Sequence, residues 1–325
     1  MSNKSIESLE YISDQLNRYL ASIIFLFGIT GNIMSCLVLS QRRLRSNPCA
    51  LLFLISSFIG LISILVGLPT RILAGWHVDP TATINWICKT RAFIIFSTRT
   101  MSIWLITLAT IDRWLISSID IHRRQMSNLK NVKRAIFITV ILSILSYIHM
   151  FPCYEANITN APLKCYEYTV RCLLVTDLIY VIFSIMIPLI LMIIFGLLTI
   201  SYVHRTHTHV ARASNALRII DHNRHVNQNS KKTDHHLLRM LLLQIFSLIV
   251  LCIPQVIQKL YITFKPFDSG SKLEDAIKTF LYNIDILLAF MASAMPFYIY
   301  VLAGGSVIKK AFMDLIRLIQ RKIAC

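Results

Sequence analysis

A chain of 325 residues that is 55% hydrophobic and only 15% charged is not a soluble domain, because soluble domains carry about 25% charged residues. Its formal net charge of +17 lies in connectors between apolar stretches. There it acts as a topology signal and an attraction to anionic lipid headgroups, so membrane lipids are expected partners and nucleic acid is not.

Met1 to Arg18 is polar and contains Glu7, Glu10 and Asp14. No basic, apolar, small-residue leader precedes the first apolar stretch, which is therefore expected to act as its own insertion signal, with the N-terminus outside. Seven stretches near membrane length follow: Tyr19–Ser40, Cys49–Leu73, Cys88–Ser117, Ala135–Phe151, Leu173–Val203, Leu237–Phe264 and Ile277–Ala303. The first runs 22 residues without a charge, as does Cys49–Thr70. A buried helix of a soluble core rarely does that. The longest connector, Val203 to His236, is polar and basic and holds seven of the ten histidines. His204, His207 and His209 have no cysteine partner nearby, so this reads as a solvated, partly helical extension and no metal site is expected. Gly304-Gly305 breaks the last span. Ser306 to Ile323 then sets Val307, Phe312, Leu315 and Ile319 against Lys309, Lys310, Arg317 and Arg321, the pattern of a helix lying on the membrane surface. Cys325 is a candidate for acylation.

Seven spans divide the connectors into two sets. The set holding Arg42, Arg123, Lys231 and Lys309 carries 21 Lys and Arg, and the alternate set carries 11. The richer set is expected to be cytoplasmic. Both glycosylation sequons, at Asn3 and Asn157, fall on the other side. So do Cys88, Cys153, Cys165 and Cys172, an even number that suggests two disulfides on an oxidising face. The expected architecture is an all-α membrane protein, a seven-transmembrane helix bundle with a C-terminal amphipathic helix. Residues 1–18 form the extracellular N-terminus, 19–303 the bundle, and 304–325 the cytoplasmic helix and tail. A multi-pass plasma-membrane location follows. No internal repeat is present, which disfavours an inverted-repeat transporter.

Cys88 and Arg113 lie 25 residues apart on the third stretch, about 38 Å along a helix and enough to cross a ~30 Å hydrocarbon core. Arg113 belongs to Asp112-Arg113-Trp114. A cysteine at one end of a span and this triplet at the other resemble the third helix of rhodopsin-like G protein-coupled receptors. The resemblance extends over about Leu20 to Phe312. Gly31-Asn32 matches the family's Gly-Asn pair, and Pro188, Pro254 and Pro296 match its helix-bending prolines. Trp114 stands where Tyr is usual. The departures are Met295 before Pro296, Ile299 three residues after it (Tyr298 and Tyr300 flank it), Cys252 in place of the sixth-span Trp, Leu142 near the fourth-span Trp, and Gly60 at the sodium-binding Asp. They put sodium regulation and the usual switching contacts in doubt and mark a divergent member.

The resemblance implies that Asp112, Arg113 and Trp114 face a heterotrimeric G protein, with Asp112 holding Arg113 at rest. It also implies a Cys88–Cys165 bridge, from the spacing of Cys165 to Pro188. Cys153–Cys172 is then the second pair, and Cys88–Cys172 the alternative. Arg99, about 16 Å into span three, and Asp285 in the outer half of span seven occupy positions that line the ligand cavity in the family. An intramembrane Arg marks a site with a partner, so Arg99 and Asp285 are expected to pair, with Gln255 and Tyr180 nearby. Lys259 and Arg71 near the outer ends of their spans complete the candidate ligand-binding set; the alternative for each, as for Asp177 and Gln258, is to snorkel to the interface. Ile95 replaces the Asp of amine receptors, and Ala289 the retinal-binding Lys of opsins. What remains resembles a receptor for a short neuropeptide. The alternatives are a chemosensory receptor of the same fold and a seven-helix transporter or proton pathway through Arg99 and Asp285. No enzyme motif or cofactor site is present.

Overall fold

The computed structural model describes residues 2–118, 120–159, 161–216, 224–265, 271–303 and 313. Among them seven helices are long and apolar enough to cross a membrane: α1 (Lys4–Leu39), α2 (Pro48–Gly75), α3 (Asn85–Ser117), α4 (Leu129–Cys153), α5 (Val170–Tyr202), α6 (Leu242–Phe264) and α7 (Lys272–Ala294). Apart from Met313, the amphipathic segment expected after Gly305 lies outside the described residues, as does Cys325. The side chains of His204, His207 and His209 do too.

The protein is a multi-pass membrane bundle. Leu26, Phe137, Ile190 and Phe246 are exposed on its outside; such large apolar side chains face lipid without the cost they would have in water. The helix α3 is enclosed over more of its length than any other span, and α4 over the least. Asn47, with Pro48 behind it, caps α2 by accepting from Cys49 N at 3.0 Å. Ser271 caps α7 and Asn128 caps α4 in the same way.

Several span boundaries differ from the expected ones. Within residues 1–18, expected as the extracellular N-terminus, Ser2–Gln15 is helical and runs into the first span through a π-helical turn at Leu16–Leu20. No Pro or Gly interrupts Ser2 to Leu20, and the extension is tied down: Ser13 Oγ accepts from Asn283 at 2.9 Å. The fourth span begins at Leu129, earlier than expected, since Lys130, Lys133 and Arg134 reach the membrane rim as exposed side chains. The seventh span ends at Ala294, and a separate helix α8 (Pro296–Ala303) follows. Pro296 has no N–H to continue the ladder and stands at the first position of the new helix, where none is needed.

Polar contacts fix how the spans sit. Asn32 Nδ2 donates to Gly28 O at 2.8 Å and to Ser293 O at 3.2 Å, joining α1 to α7. Gly31 must stay small: a Cβ there would lie 2.9 Å from Tyr298 Cε2. Thr100 of α3, Tyr147 of α4 and Ser184 of α5 form one buried hydroxyl cluster. Ser184 lies in a π-helical stretch, Ile179–Met186, just before Pro188.

At one end, strands β1 (Tyr154–Glu155) and β2 (Tyr166–Glu167) form a short antiparallel hairpin. Two disulfides pin it, Cys88–Cys165 to α3 and Cys153–Cys172 to the start of α5, the pairing that the resemblance implied.

Candidate ligand cavity

Beneath the hairpin end lie two adjacent spaces that share part of their lining. The outer one, about 670 Å³, is bounded by the N-terminal turns of α1, the ends of α2 and α7, and loop residues that include His77, Asp79, Thr159 and Ala161 to Cys165. The inner one, about 50 Å³, is walled by Ile95, Arg99, Tyr154, Tyr166, Gln255, Tyr282, Ile286 and Phe290 among others. Arg71, Arg91, Leu163 and Cys165 line both, so they form the neck. Tyr166 of the hairpin packs edge-on against Tyr282 of α7 at 5.9 Å and covers the inner space.

Arg99 forms the floor. Its Nη2 donates to Gln255 Oε1 at 3.0 Å, and the same oxygen accepts from Tyr180 Oη at 2.7 Å. The guanidinium also lies 5.7 Å from the ring centres of Tyr180 and Phe290, a cation–π arrangement. The expected closeness of Arg99, Gln255 and Tyr180 is therefore present. The expected Arg99–Asp285 ion pair is not: no contact within 4.0 Å joins them, and Asp285 lines neither space. The reason is helical phase. Tyr282, Ile286 and Phe290 present one face of α7 to the inner space, and Asp285 is one residue, about 100°, off that face.

Among the described residues, the ion pair with both side chains closed to solvent is a different one. Lys259 of α6 pairs with Asp177 of α5, and both are closed to solvent. Thr263 Oγ1 donates to the other oxygen of Asp177 at 2.7 Å, and Lys259 lies over the rings of Phe96 and Tyr180 at 5.4 and 5.6 Å. Both carboxylate oxygens of Asp177 are thus engaged, as a buried pair requires. Lys259 lines neither space; it braces the wall behind them. Gln258 donates to Lys278 O at 3.0 Å and joins α6 to α7.

Glu167 of the hairpin is buried and accepts from Tyr154 Oη at 2.6 Å. Loss of water on burial pushes its carboxyl up to about 7, with the Lys259 ammonium opposing and the Asp177 carboxylate adding. Burial likewise pushes the Tyr154 and Tyr166 hydroxyls up.

Sequence reasoning placed Arg71, Arg99, Gln255 and Tyr180 at this end and missed Arg91, Tyr282, Asn283 and the hairpin tyrosines. One signal was legible: Arg91, Ile95 and Arg99 recur at i, i+4 and i+8, one face of α3. The hairpin residues gave no such signal, because a loop's fold over the bundle has no periodicity.

At the opposite end, Asp112 and Arg113 do not clasp each other. Asp112 Oδ1 accepts from Ser127 Oγ at 2.6 Å, and Arg113 Nη2 donates to Asn47 Oδ1 at 3.0 Å. Adjacent helical side chains point about 100° apart, so each finds a partner in a different connector. Trp114 packs on Phe195 of α5 at 4.9 Å, with Arg123 over its ring at 5.4 Å.

Residues 31–300 match the model of the 7 transmembrane receptor (rhodopsin family). The chain belongs to this family. No curated protein matches it. The receptor is thus a member of a class of non-enzymatic signalling proteins that bind extracellular ligands and G proteins. Its departures have local consequences. Gly60 leaves room that Asn32 Oδ1 approaches, 3.2 Å from where a Cβ would stand. Tyr298 turns to α1, stacking on Phe27 at 3.6 Å and donating to Phe27 O at 3.0 Å.

Proposed function

We propose that the receptor sits in the plasma membrane with its N-terminus and hairpin outside, binds a short peptide in the two-part cavity, and signals through a heterotrimeric G protein. The observation that carries the peptide reading is the contrast in size: about 670 Å³ outside and about 50 Å³ inside. A compact ligand would not fill the outer space, and a bulky one would not pass the neck. An elongated ligand, lying in the outer space with one end at Arg71 and Arg91, uses both. The rim offers mixed charge for side chains: Glu10, Asp14, Lys164 and Lys272. The excess of Lys and Arg on the Asp112 side supports the orientation. Asn157, exposed and with φ 64° in the hairpin loop, is accessible to a glycan, and Asn3 carries the other sequon.

Coupling is supported by Arg113 at the opposite rim, which donates to Asn47, a contact that movement of the helices can release. The test is a peptide library applied to cells expressing the receptor, with G protein activation as readout. Activation by a peptide is expected. Activation only by small non-peptide compounds would favour a chemosensory role, and uptake without activation a transporter.

A further inference from the structure

The inner space is electrostatically one-sided. Its wall holds three guanidinium groups, Arg71, Arg91 and Arg99, and no carboxylate. Each arginine donates to a neutral acceptor: Arg71 Nη1 to Asn283 Oδ1 at 3.1 Å, Arg91 Nη2 to Gly67 O at 3.3 Å, and Arg99 Nη2 to Gln255 Oε1 at 3.0 Å. Among the described residues none of the three has a carboxylate within 4.0 Å. Donors are also left over. Arg71 is only 5% exposed, and its Nε and the Nε of Arg91 are buried without an acceptor.

Of the acids of the outer space, Asp79 acts on Arg71 and Arg91 by its charge alone, from beyond ion-pair distance, and the others are engaged elsewhere or exposed. Asp79 accepts from Thr81 N and Oγ1 at 2.9 and 2.7 Å, Asp14 faces His77 at 3.1 Å, and Asp275 faces Lys278 at 3.1 Å. Glu10 is exposed on the N-terminal helix. Glu167 is turned to Tyr154. An arginine stays protonated, and a buried cation without a counter-charge is costly unless something supplies one. The planar donor forks of Arg71 and Arg91 match a two-oxygen anion.

We propose that the neck is an anion site, and that the ligand carries a carboxylate seated on Arg71 and Arg91, with Arg99 behind it at the floor. This rests on reading the cavity as the ligand site, and it makes the inner end of the ligand acidic rather than amidated. A peptide C-terminus and a fatty-acid headgroup share this chemistry.

The test uses the full-length receptor purified in nanodiscs and probed by its thermal midpoint. The probes are a short-peptide library prepared in parallel as free acids and as C-terminal amides, together with dodecanoate and dodecyltrimethylammonium. Free acids or dodecanoate are expected to raise the midpoint where the amides and the cationic amphiphile do not. Arg91→Gln is expected to weaken the effective acid probe about 10- to 100-fold, the worth of a hydrogen bond to a charged group. Arg91→Lys is expected to retain part of that affinity. If Arg91→Gln fails to fold, the acid-over-amide preference of the unaltered receptor remains decisive. Equal effects of acids and amides, or unchanged affinity in a folded Arg91→Gln, would overturn the anion site while leaving a peptide receptor intact. Stabilisation by dodecanoate alone would uphold the anion site and remove the peptide.

Discussion

Lys259 of α6 and Asp177 of α5 are bonded to each other where neither is reached by solvent, at 0% and 1% side-chain exposure. This pair, with Thr263 on its second oxygen, ties together the two spans whose separation is expected on activation. Lys259→Ala leaves Asp177 buried without its counter-charge, a change that costs about 3–5 kcal/mol. Thermal unfolding of the purified receptor should show a large loss for this variant. Lys259→Met combined with Asp177→Leu should recover most of it, since replacing both charges with apolar groups of similar volume is close to neutral. A folded, unperturbed Lys259→Ala would mean that the pair is dispensable.

Arg99 and Gln255 share one hydrogen bond, whereas Arg99 and Asp285 share none. A double-mutant cycle on thermal stability should therefore give a coupling for Arg99→Ala with Gln255→Ala of about 0.5–3 kcal/mol, and near-additivity for Arg99→Ala with Asp285→Ala. Strong coupling of the second pair would reinstate the ion pair across the bundle.

Glu167 titrates in the pH range where receptors are assayed. Its folded-state carboxyl is raised from 4.5 to about 7, so the folded hairpin binds the proton more tightly than the unfolded chain does. The associated stability is fully present below about pH 4.5 and is lost as pH rises through about 7, for a total on the order of 3 kcal/mol. Hydrogen exchange of the hairpin amides, with the disulfides intact, should be slower at pH 5.5 than at pH 8 after correction for intrinsic rates. Glu167→Gln should flatten the difference. A hairpin whose protection is independent of pH in the unaltered receptor would contradict the assignment.

At the Asp112 end, Ser127 holds Asp112 and Asn47 holds Arg113. If these contacts maintain the resting state, Asp112→Asn and Ser127→Ala should raise ligand-free G protein activation in the same direction, by an amount similar to the loss of one charge-assisted hydrogen bond, about 1.5–3 kcal/mol at most. Arg113→Ala should abolish activation while ligand binding persists. Normal signalling by Arg113→Ala would remove Arg113 from the coupling role.

The legible part of this protein was the part that depends on one dimension. Span number follows from runs of apolar residues long enough to cross a hydrocarbon core, and the alternation of connectors follows from counting Lys and Arg along the chain. Neither needs to know how one helix is rotated against another. The Cys88–Cys165 pairing came from family spacing and left Cys153–Cys172 as the second pair, and the structure has both. What the sequence left undecided was rotation. Asp285 reads as the natural partner of Arg99 because both are isolated charges at similar depth, but one residue of helical phase turns Asp285 away and gives Arg99 to Gln255. The π-helical stretch Ile179–Met186 shifts the phase of α5 on the far side of it, where Asp177 meets Lys259, because a π turn holds more residues than an α turn. The hairpin is the other case: Tyr154 and Glu167 are separated by a loop with no periodic pattern, and only the two disulfides and the fold of the bundle end set them face to face. Depth in the membrane is thus written along the chain, while the partner of each buried charge is chosen by side-chain direction, which only the packed bundle decides.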